Sequence, residues 1–300
     1  MIERAVAILR EGGVVAFPTE TVYGLGADAE SEDAVRRVFE IKGRPIGHPV
    51  IVHLADAAQI PLWARYVPDV AQKLAERFWP GPLTLVLSRS PRASDLVTGS
   101  QDTVALRAPS HPMAQEILRA FGRGVVAPSA NRFGSVSATR AEHVIADLGD
   151  AVDLVVDGGP ATIGVESTIV DLAHGAPAIL RPGGITREVL AEAIGAPLLE
   201  GGSDVRVPGS LPSHYAPRAR IELAENDAVA EGLATALKAQ GKRVILIGSA
   251  EIHALARDLY ERLRAADREG ADAIVVVLPA NEGLGVALRD RLRRAASPKR

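Results

Sequence analysis

Apolar residues recur at helical spacing from the start of the chain. Ile2, Val6 and Leu9 share one face, and Gly12-Gly13 closes that helix. VVAFP then reads as a short buried strand. SEDAVRRVFEIKG opens on Ser31, a good N-cap, and closes at Gly43. PVIVHL predicts the next strand, and DVAQKLAERFWPG a helix stopped by Pro80-Gly81. LTLVLS and TVALRA follow as strands, MAQEILRAFG as a helix, GVVAPS as a strand and ATRAEHVIADLG as a helix. DLVVDGG, STIVDL and AILRPG read as strands, before a helix from about Thr186 to Ile194. Helices do not separate every strand pair, so residues 1–200 predict an α/β domain with an open mixed sheet.

Periodicity breaks in LLEGGSDVRVPGSLPSHYAPRAR, where Gly, Pro and Ser predict a linker or wrapping loop over 201–219. Beyond it the pattern is simple. RIELA, RVILIG and AIVVVLP are apolar strands, alternating with helices over about Asp227–Gln240, about Ala250–Ala266 and from near Leu284. That alternation predicts a smaller Rossmann-like parallel α/β domain over 220–300.

Bulk properties narrow the function. A chain of 300 residues is long enough for two cores. Its net charge of -3 argues against coating nucleic acid in bulk, while leaving room for a local basic cleft. The absence of Cys excludes disulfides, thiolate metal sites and a Cys nucleophile. MIERAVAILREGG lacks a signal-peptide core, and no apolar run approaches the ~20 residues that span a bilayer. A cytoplasmic protein without membrane attachment is therefore expected. There is no G-x-x-x-x-G-K-[ST] loop, no G-x-G-x-x-G after a strand, no metal-spaced cluster and no G-x-S-x-G elbow.

The remaining candidates sit at the ends of strands and helices. FPTETVYGLG puts hydroxyls, a carboxylate and a Tyr in a Gly-punctuated loop. KGRPIGHPVIVH carries Lys42, Arg44, His48 and His53, the first two suited to phosphates or carboxylates. Arg107 ends an apolar strand, where its charge needs an anionic partner or open water. Ser129 and Asn131 follow another strand in a turn that suits phosphate oxygens. Ser167 starts a strand, Arg181 ends one, and His214-Tyr215 lies in the linker. Each also has an ordinary structural explanation: a capping loop, a core histidine, a solvated strand end, an Asx turn, or a Tyr pinning the linker. Together they describe an anion-binding cleft at a sheet edge.

In this order, PTETVYGLG, KGRPIGHPVIVH, APSAN, ESTIVD, LRPG and HYAP resemble the L-threonylcarbamoyladenylate synthase family. The first domain resembles its YrdC-like catalytic domain, and EGLGVALRDRLRRAAS is similar to the end of its two-domain long form. The resemblance implies formation of threonylcarbamoyl-AMP and pyrophosphate from L-threonine, bicarbonate and ATP. Partner proteins would then transfer the threonylcarbamoyl group to adenosine in tRNA, with at most a transient tRNA contact by this chain. It implies that Thr21, His53, Arg107 and Ser167 hold L-threonine. Arg44, His48, Thr103, Ser129, Asn131, Ser137, Arg181 and Tyr215 would contact ATP, with Lys42 and Arg44 as the catalytic cations. Mg2+ would arrive on the triphosphate, with no metal site built by the protein.

Some positions depart from the family's pattern. His48 stands where the family often has Asn, Ala127 where some members carry a hydroxyl, and Ala138 and Arg140 where Pro and Thr are commoner. The second domain is also short for the long form. Three other readings compete. A hydrogenase-maturation carbamoyltransferase conflicts with the lack of Cys. A non-catalytic RNA-binding module would use the basic face of the first domain. A nucleotide binder without threonine activity would lack the surroundings of Arg107 and Ser167.

Overall fold

The computed structural model describes residues 1–201, 204–209, 211 and 213–298. Of the expected linker, residues 202, 203, 210 and 212 lie outside the described residues, as do residues 299 and 300 of the second domain. The helix Glu32–Lys42 begins as its sequence predicts: the Ser31 side chain accepts from the Ala34 amide. It ends at Gly43, whose φ of 65° only a residue without Cβ adopts freely. The amides of Gly43 and Arg44 turn back to the carbonyls of Glu40 and Phe39. This turn leaves both Lys42 and Arg44 buried.

Among the described residues, ten strands form one sheet. They are Val15–Phe17 (β1), Gly24–Asp28 (β2), Ile51–His53 (β3), Leu83–Ser88 (β4), Thr103–Arg107 (β5), Val125–Val126 (β6), Leu154–Val155 (β7), Thr168–Asp171 (β8), Ala178–Arg181 (β9) and Leu199–Glu200 (β10). Their order is β10-β9-β8-β4-β5-β3-β6-β2-β1-β7. The sheet is mixed: β3–β5 and β4–β8 are parallel, whereas β4–β5 and β3–β6 are antiparallel. β2 corrects the sequence expectation of a loop through Gly24 and Gly26. Glycine is a poor strand former, which hides the strand from propensity. Packing requires it here, because a Cβ on Gly26 would lie 2.5 Å from the Phe17 ring. β10, two residues at the edge of the Gly-rich linker, likewise carries no strand signal in the sequence.

Side-chain alternation along the central strands builds the site. Ile51, Val86, Ala105 and Ile169 form a small apolar cluster, which is covered by Val207 of the linker. Two residues further along their strands stand His53 and Arg107, paired in register across β3 and β5. Ser167 lies two residues before Ile169, just ahead of β8. The polar group is thus placed beside the spot where the linker crosses the sheet.

The second domain has three parallel strands, Arg220–Ala224 (β11), Val244–Ile247 (β12) and Ala273–Val277 (β13), in the order β11-β13-β12. The helix Asp227–Ala239 supplies Ala230 and Ala234 to a core with Val275 and Val277. The helices Ile252–Arg268 and Leu284–Ala296 supply Leu255, Leu259, Leu263, Leu288 and Leu292 to another core. That core also contains Val22, Val136 and Val165 of the first domain. Among the described residues, no helix is long and apolar enough to cross a membrane.

Candidate active site

One small cavity collects most of the sequence candidates. Thr21, Arg44, His53, Arg107, Ser129, Ser167, Arg181 and Tyr215 line it, together with Ala127, Glu166, Pro208, Gly209 and His214. Lys42, His48, Thr103, Asn131 and Ser137 are not among its lining residues. The volume is about 50 Å³, room for a few waters at most.

Arg107 has the anionic partner that its position demanded. Its Nη2 donates to Glu20 Oε1 at 2.7 Å, and its Nε donates to the Gly81 carbonyl at 3.2 Å. Glu20 Oε2 accepts from the Ser110 amide at 3.0 Å. Nη1 of Arg107 has no protein partner among the described residues. Glu20 is not among the sequence candidates, where its only signal is a carboxylate in a Gly-punctuated loop. His53 is buried, and its pKa falls to about 3, first because burial disfavours the cation and then because Arg107 stands beside it. It is a neutral imidazole, and its Nδ1 has no hydrogen-bond partner.

Ser167 is held from two sides. Its hydroxyl lies 2.8 Å from Thr84 Oγ1 and accepts from Arg181 Nη2 at 3.0 Å. Nε and Nη2 of Arg181 also donate to the Ser167 carbonyl, while Nη1 donates to the Pro208 carbonyl of the linker at 2.8 Å. Arg181 is therefore fully engaged as a brace between Ser167 and the linker. Thr21 lies 2.9 Å from the Thr19 hydroxyl.

On the opposite side, Lys42 Nζ donates to the carbonyls of Ser129 and Asn131. Burial, then repulsion from Arg44, depresses its pKa well below the usual lysine range. Lys42 thus props up the Ser129–Asn131 turn from behind the cavity. Asn131 Nδ2 donates to the carbonyls of Arg132 and Ser135, and its Oδ1 is unpaired. Arg44 lies over the rings of Phe39 and Phe133, 5.9 and 5.7 Å from their centroids. It donates to the Pro49 carbonyl at 2.8 Å and keeps an unpaired Nε, with its pKa lowered by burial to about 10. His48 packs its ring 5.7 Å from Phe133. Arg44 Nε, His53 Nδ1, Asn131 Oδ1 and His214 Nδ1 are all buried and unpaired in this one region. Native proteins rarely leave such atoms without a partner, so the concentration points to a polar ligand.

Pro208, Gly209, His214 and Tyr215 of the linker form one wall of the cavity. Arg206 donates to the carbonyls of Gly47 and Gly99 at 2.9 and 2.6 Å, and Gln101 exchanges two hydrogen bonds with the Arg206 backbone. Tyr215 is buried with a left-handed φ of 61°. Its ring meets His214 at 4.2 Å and stacks on Tyr260 at 5.8 Å. The helices of the second domain brace the same region. Arg264 donates to the carbonyls of Val136 and Ser137 and pairs with Asp147 at 2.6 Å.

A mixed α/β sheet thus gathers cations and hydroxyls around one small cavity, and it is joined to a parallel α/β domain. The family model described as Telomere recombination (Sua5, YciO and YrdC) matches residues 7–183. That described as Threonylcarbamoyl-AMP synthase, C-terminal domain, matches residues 185–297. The chain belongs to the threonylcarbamoyl-AMP synthase family, in its two-domain form. It is similar to the threonylcarbamoyl-AMP synthase of Pyrococcus abyssi, with 42% identity over 98% of this chain and 94% of the relative. The Bacillus subtilis threonylcarbamoyl-AMP synthase is 41% identical over 98% of this chain and 92% of the relative. The crystal structure of P. abyssi Sua5 complexed with L-threonine superposes with a TM-score of 0.93 at 41% identity, covering 98% of this chain and 94% of that one.

Proposed function

We propose that this chain condenses L-threonine, bicarbonate and ATP to threonylcarbamoyl-AMP and pyrophosphate. The carrying observation is the small cavity in which His53, Arg107 and Ser167 gather with Arg44, Ser129 and Arg181. An RNA-binding module gives this buried space no role.

In the proposed assignment, the free Nη1 of Arg107 meets the threonine carboxylate. Neutral His53 supplies an uncharged nitrogen to the amino acid, and Ser167 and Thr21 supply hydroxyls. The threonine amine attacks bicarbonate and water leaves, giving a carbamate. A carbamate oxygen then attacks the α-phosphorus of ATP, and pyrophosphate departs with the electron pair of the broken P–O bond. Arg44 neutralises charge on the phosphates, with Ser129 and the turn held up by Lys42 and Asn131 supplying donors. Positioning and preset charge suffice for such a displacement. Thr103, Ser137 and His48 complete the proposed nucleotide set from outside the cavity lining.

The donor set bears on Mg2+. The two carboxylates beside the cavity, Glu20 and Glu166, are both paired with arginines. What remains are hydroxyls, which fit an ion that keeps its waters and rides on ATP. Bound there, Mg2+ would add positive charge to the leaving pyrophosphate. ATP does not fit a cavity of about 50 Å³, so the linker must lift for substrate entry and then settle over the bound nucleotide, with Gly209 and Tyr215 again in contact, before chemistry. On lifting, Arg181 Nη1 exchanges the Pro208 carbonyl for a phosphate oxygen. Downstream, tRNA-modifying partner proteins would take the product in the cytoplasm, with tRNA contacting this chain transiently.

The test is pyrophosphate release from ATP with L-threonine and bicarbonate each present or omitted. Release that requires both is expected. Release that ignores threonine refutes the assignment.

A further inference from the structure

The second domain reaches the active site through buried charge. Glu166 precedes Ser167 in the chain and is itself buried. Its carboxylate accepts from Ser137 Oγ at 2.7 Å, from the Tyr260 hydroxyl at 2.9 Å and from Arg291 Nε at 2.7 Å. Ser137 belongs to the proposed nucleotide side of the first domain. Tyr260 and Arg291 come from the 252–268 and 284–296 helices of the second. Arg291 is only 1% exposed, and its other nitrogens donate to Asp290 and to the Pro182 carbonyl. Its guanidinium carbon also lies 5.2 Å from the centre of the Tyr215 ring. Tyr215 is thus held between two residues of the second domain, Arg291 and Tyr260.

Stability alone is a weak reason for such a cluster. A buried ion pair replaced by apolar groups of similar size is often neutral or stabilising. What the cluster does supply is geometry. It ties together the residue before Ser167, the Ser137 hydroxyl and the linker aromatic that lines the cavity.

We propose that Arg291 is a positioning residue for synthesis. It fixes Glu166, and through it Ser167, while backing the ring of Tyr215, so the threonine side assembles only against the second domain. This rests on the synthase reading given above. The carboxylate is the group that Arg291 acts through, and the threonine side is where its loss is felt.

The experiment compares full-length wild type with Arg291→Met, Arg291→Lys and the double variant Arg291→Met/Glu166→Gln. Steady-state pyrophosphate release is followed against L-threonine and against ATP, and melting temperature is measured on each protein. Arg291→Met should raise the threonine KM by about tenfold and lower kcat, with a much smaller change in the KM for ATP. Arg291→Lys, which keeps the charge, should recover part of the loss. The double variant removes the unpaired carboxylate, so it should recover melting temperature without recovering the threonine KM. It also provides a folded protein if the single variant is unstable. A change in melting temperature with threonine KM within about twofold of wild type overturns the proposal. So does full kinetic recovery in the double variant, because it would reduce Arg291 to neutralising a charge. A wild type that releases no pyrophosphate with all three substrates overturns the synthase reading, and this proposal with it.

Discussion

Alanine at position 209 tests whether the linker must lie down for synthesis to occur. Gly209 holds a φ of 81°, a left-handed conformation that costs an L-residue about 1–2 kcal/mol. A Cβ there would lie 2.1 Å from the Tyr215 hydroxyl and 3.3 Å from Arg181 Nη1. Tyr215 would have to retreat from its stack on Tyr260, or the 208–209 segment would have to rise off Arg181. Taking about 1 kcal/mol for the backbone and about 1 kcal/mol for crowding, the low end of overpacking, the closed linker loses about 2 kcal/mol. That is roughly 30-fold in the closing equilibrium. The open linker still admits ATP, so the loss should fall on kcat rather than on nucleotide binding. Gly209→Ala should therefore lower kcat for pyrophosphate release by about tenfold or more, with an ATP KM unchanged or lower. Limited proteolysis within the linker should become faster. A kcat within about twofold of wild type would refute the reasoning, because closure would then not precede the chemistry.

Arg107→Ala should raise the threonine KM by at least about tenfold and, by leaving Glu20 buried without its partner, cost about 3 kcal/mol of stability; adding Glu20→Gln should restore the melting temperature but not the KM. His53 and His214 are both held near pKa 3, chiefly by burial, against 6.5 when unfolded. The fold excludes protons that the unfolded chain binds, so stability is unaffected above pH 6.5 and is lost as pH falls from there toward 3. At about pH 5 the loss is roughly 2 kcal/mol for each histidine, and a urea midpoint that does not move between about pH 7.5 and about pH 5 would contradict it. Glu166 adds an acid-side loss of its own as pH falls from 4.5 through about 2: burial alone would raise its pKa, but Arg291 and Arg181 overcome that. Gly26→Ala should lower the melting temperature through contact with the Phe17 ring, at about 1–3 kcal/mol, while leaving the threonine KM of the folded protein unchanged.

What the sequence made legible were the ends of regular elements. Ser31 and Gly43 bracket a helix by capping chemistry that operates within four residues, so Lys42 and Arg44 were placed at its end without any tertiary knowledge. His53, Arg107 and Ser167 stood out because a polar group interrupts or ends an apolar run. Their partners stayed hidden, since Glu20 meets Arg107 across 87 residues and Glu166 meets Arg291 across 125. No local pattern encodes such pairings. Lys42 shows the same limit: its charge suggested contact with phosphate, whereas its position behind the Ser129–Asn131 turn is set by packing. The linker announced itself through Gly, Pro and Ser, but its resting place on Ile51, Ala105 and Ile169 depends on a bare sheet face that only the assembled strands create.

The core that Val22, Val136 and Val165 share with the second domain changes what counts as a module. Cutting after Glu200 would strip away the linker and also most of a hydrophobic core, so inactivity of that fragment would not by itself identify the linker as the missing part. The same seam constrains inheritance. Leu259 and Leu292 share that core with Val136 and Val165, which adjoin Ser137 and Glu166. Recombination could not graft this second domain onto a foreign partner without also rewriting positions 22, 136 and 165. The two halves of the chain must therefore drift together.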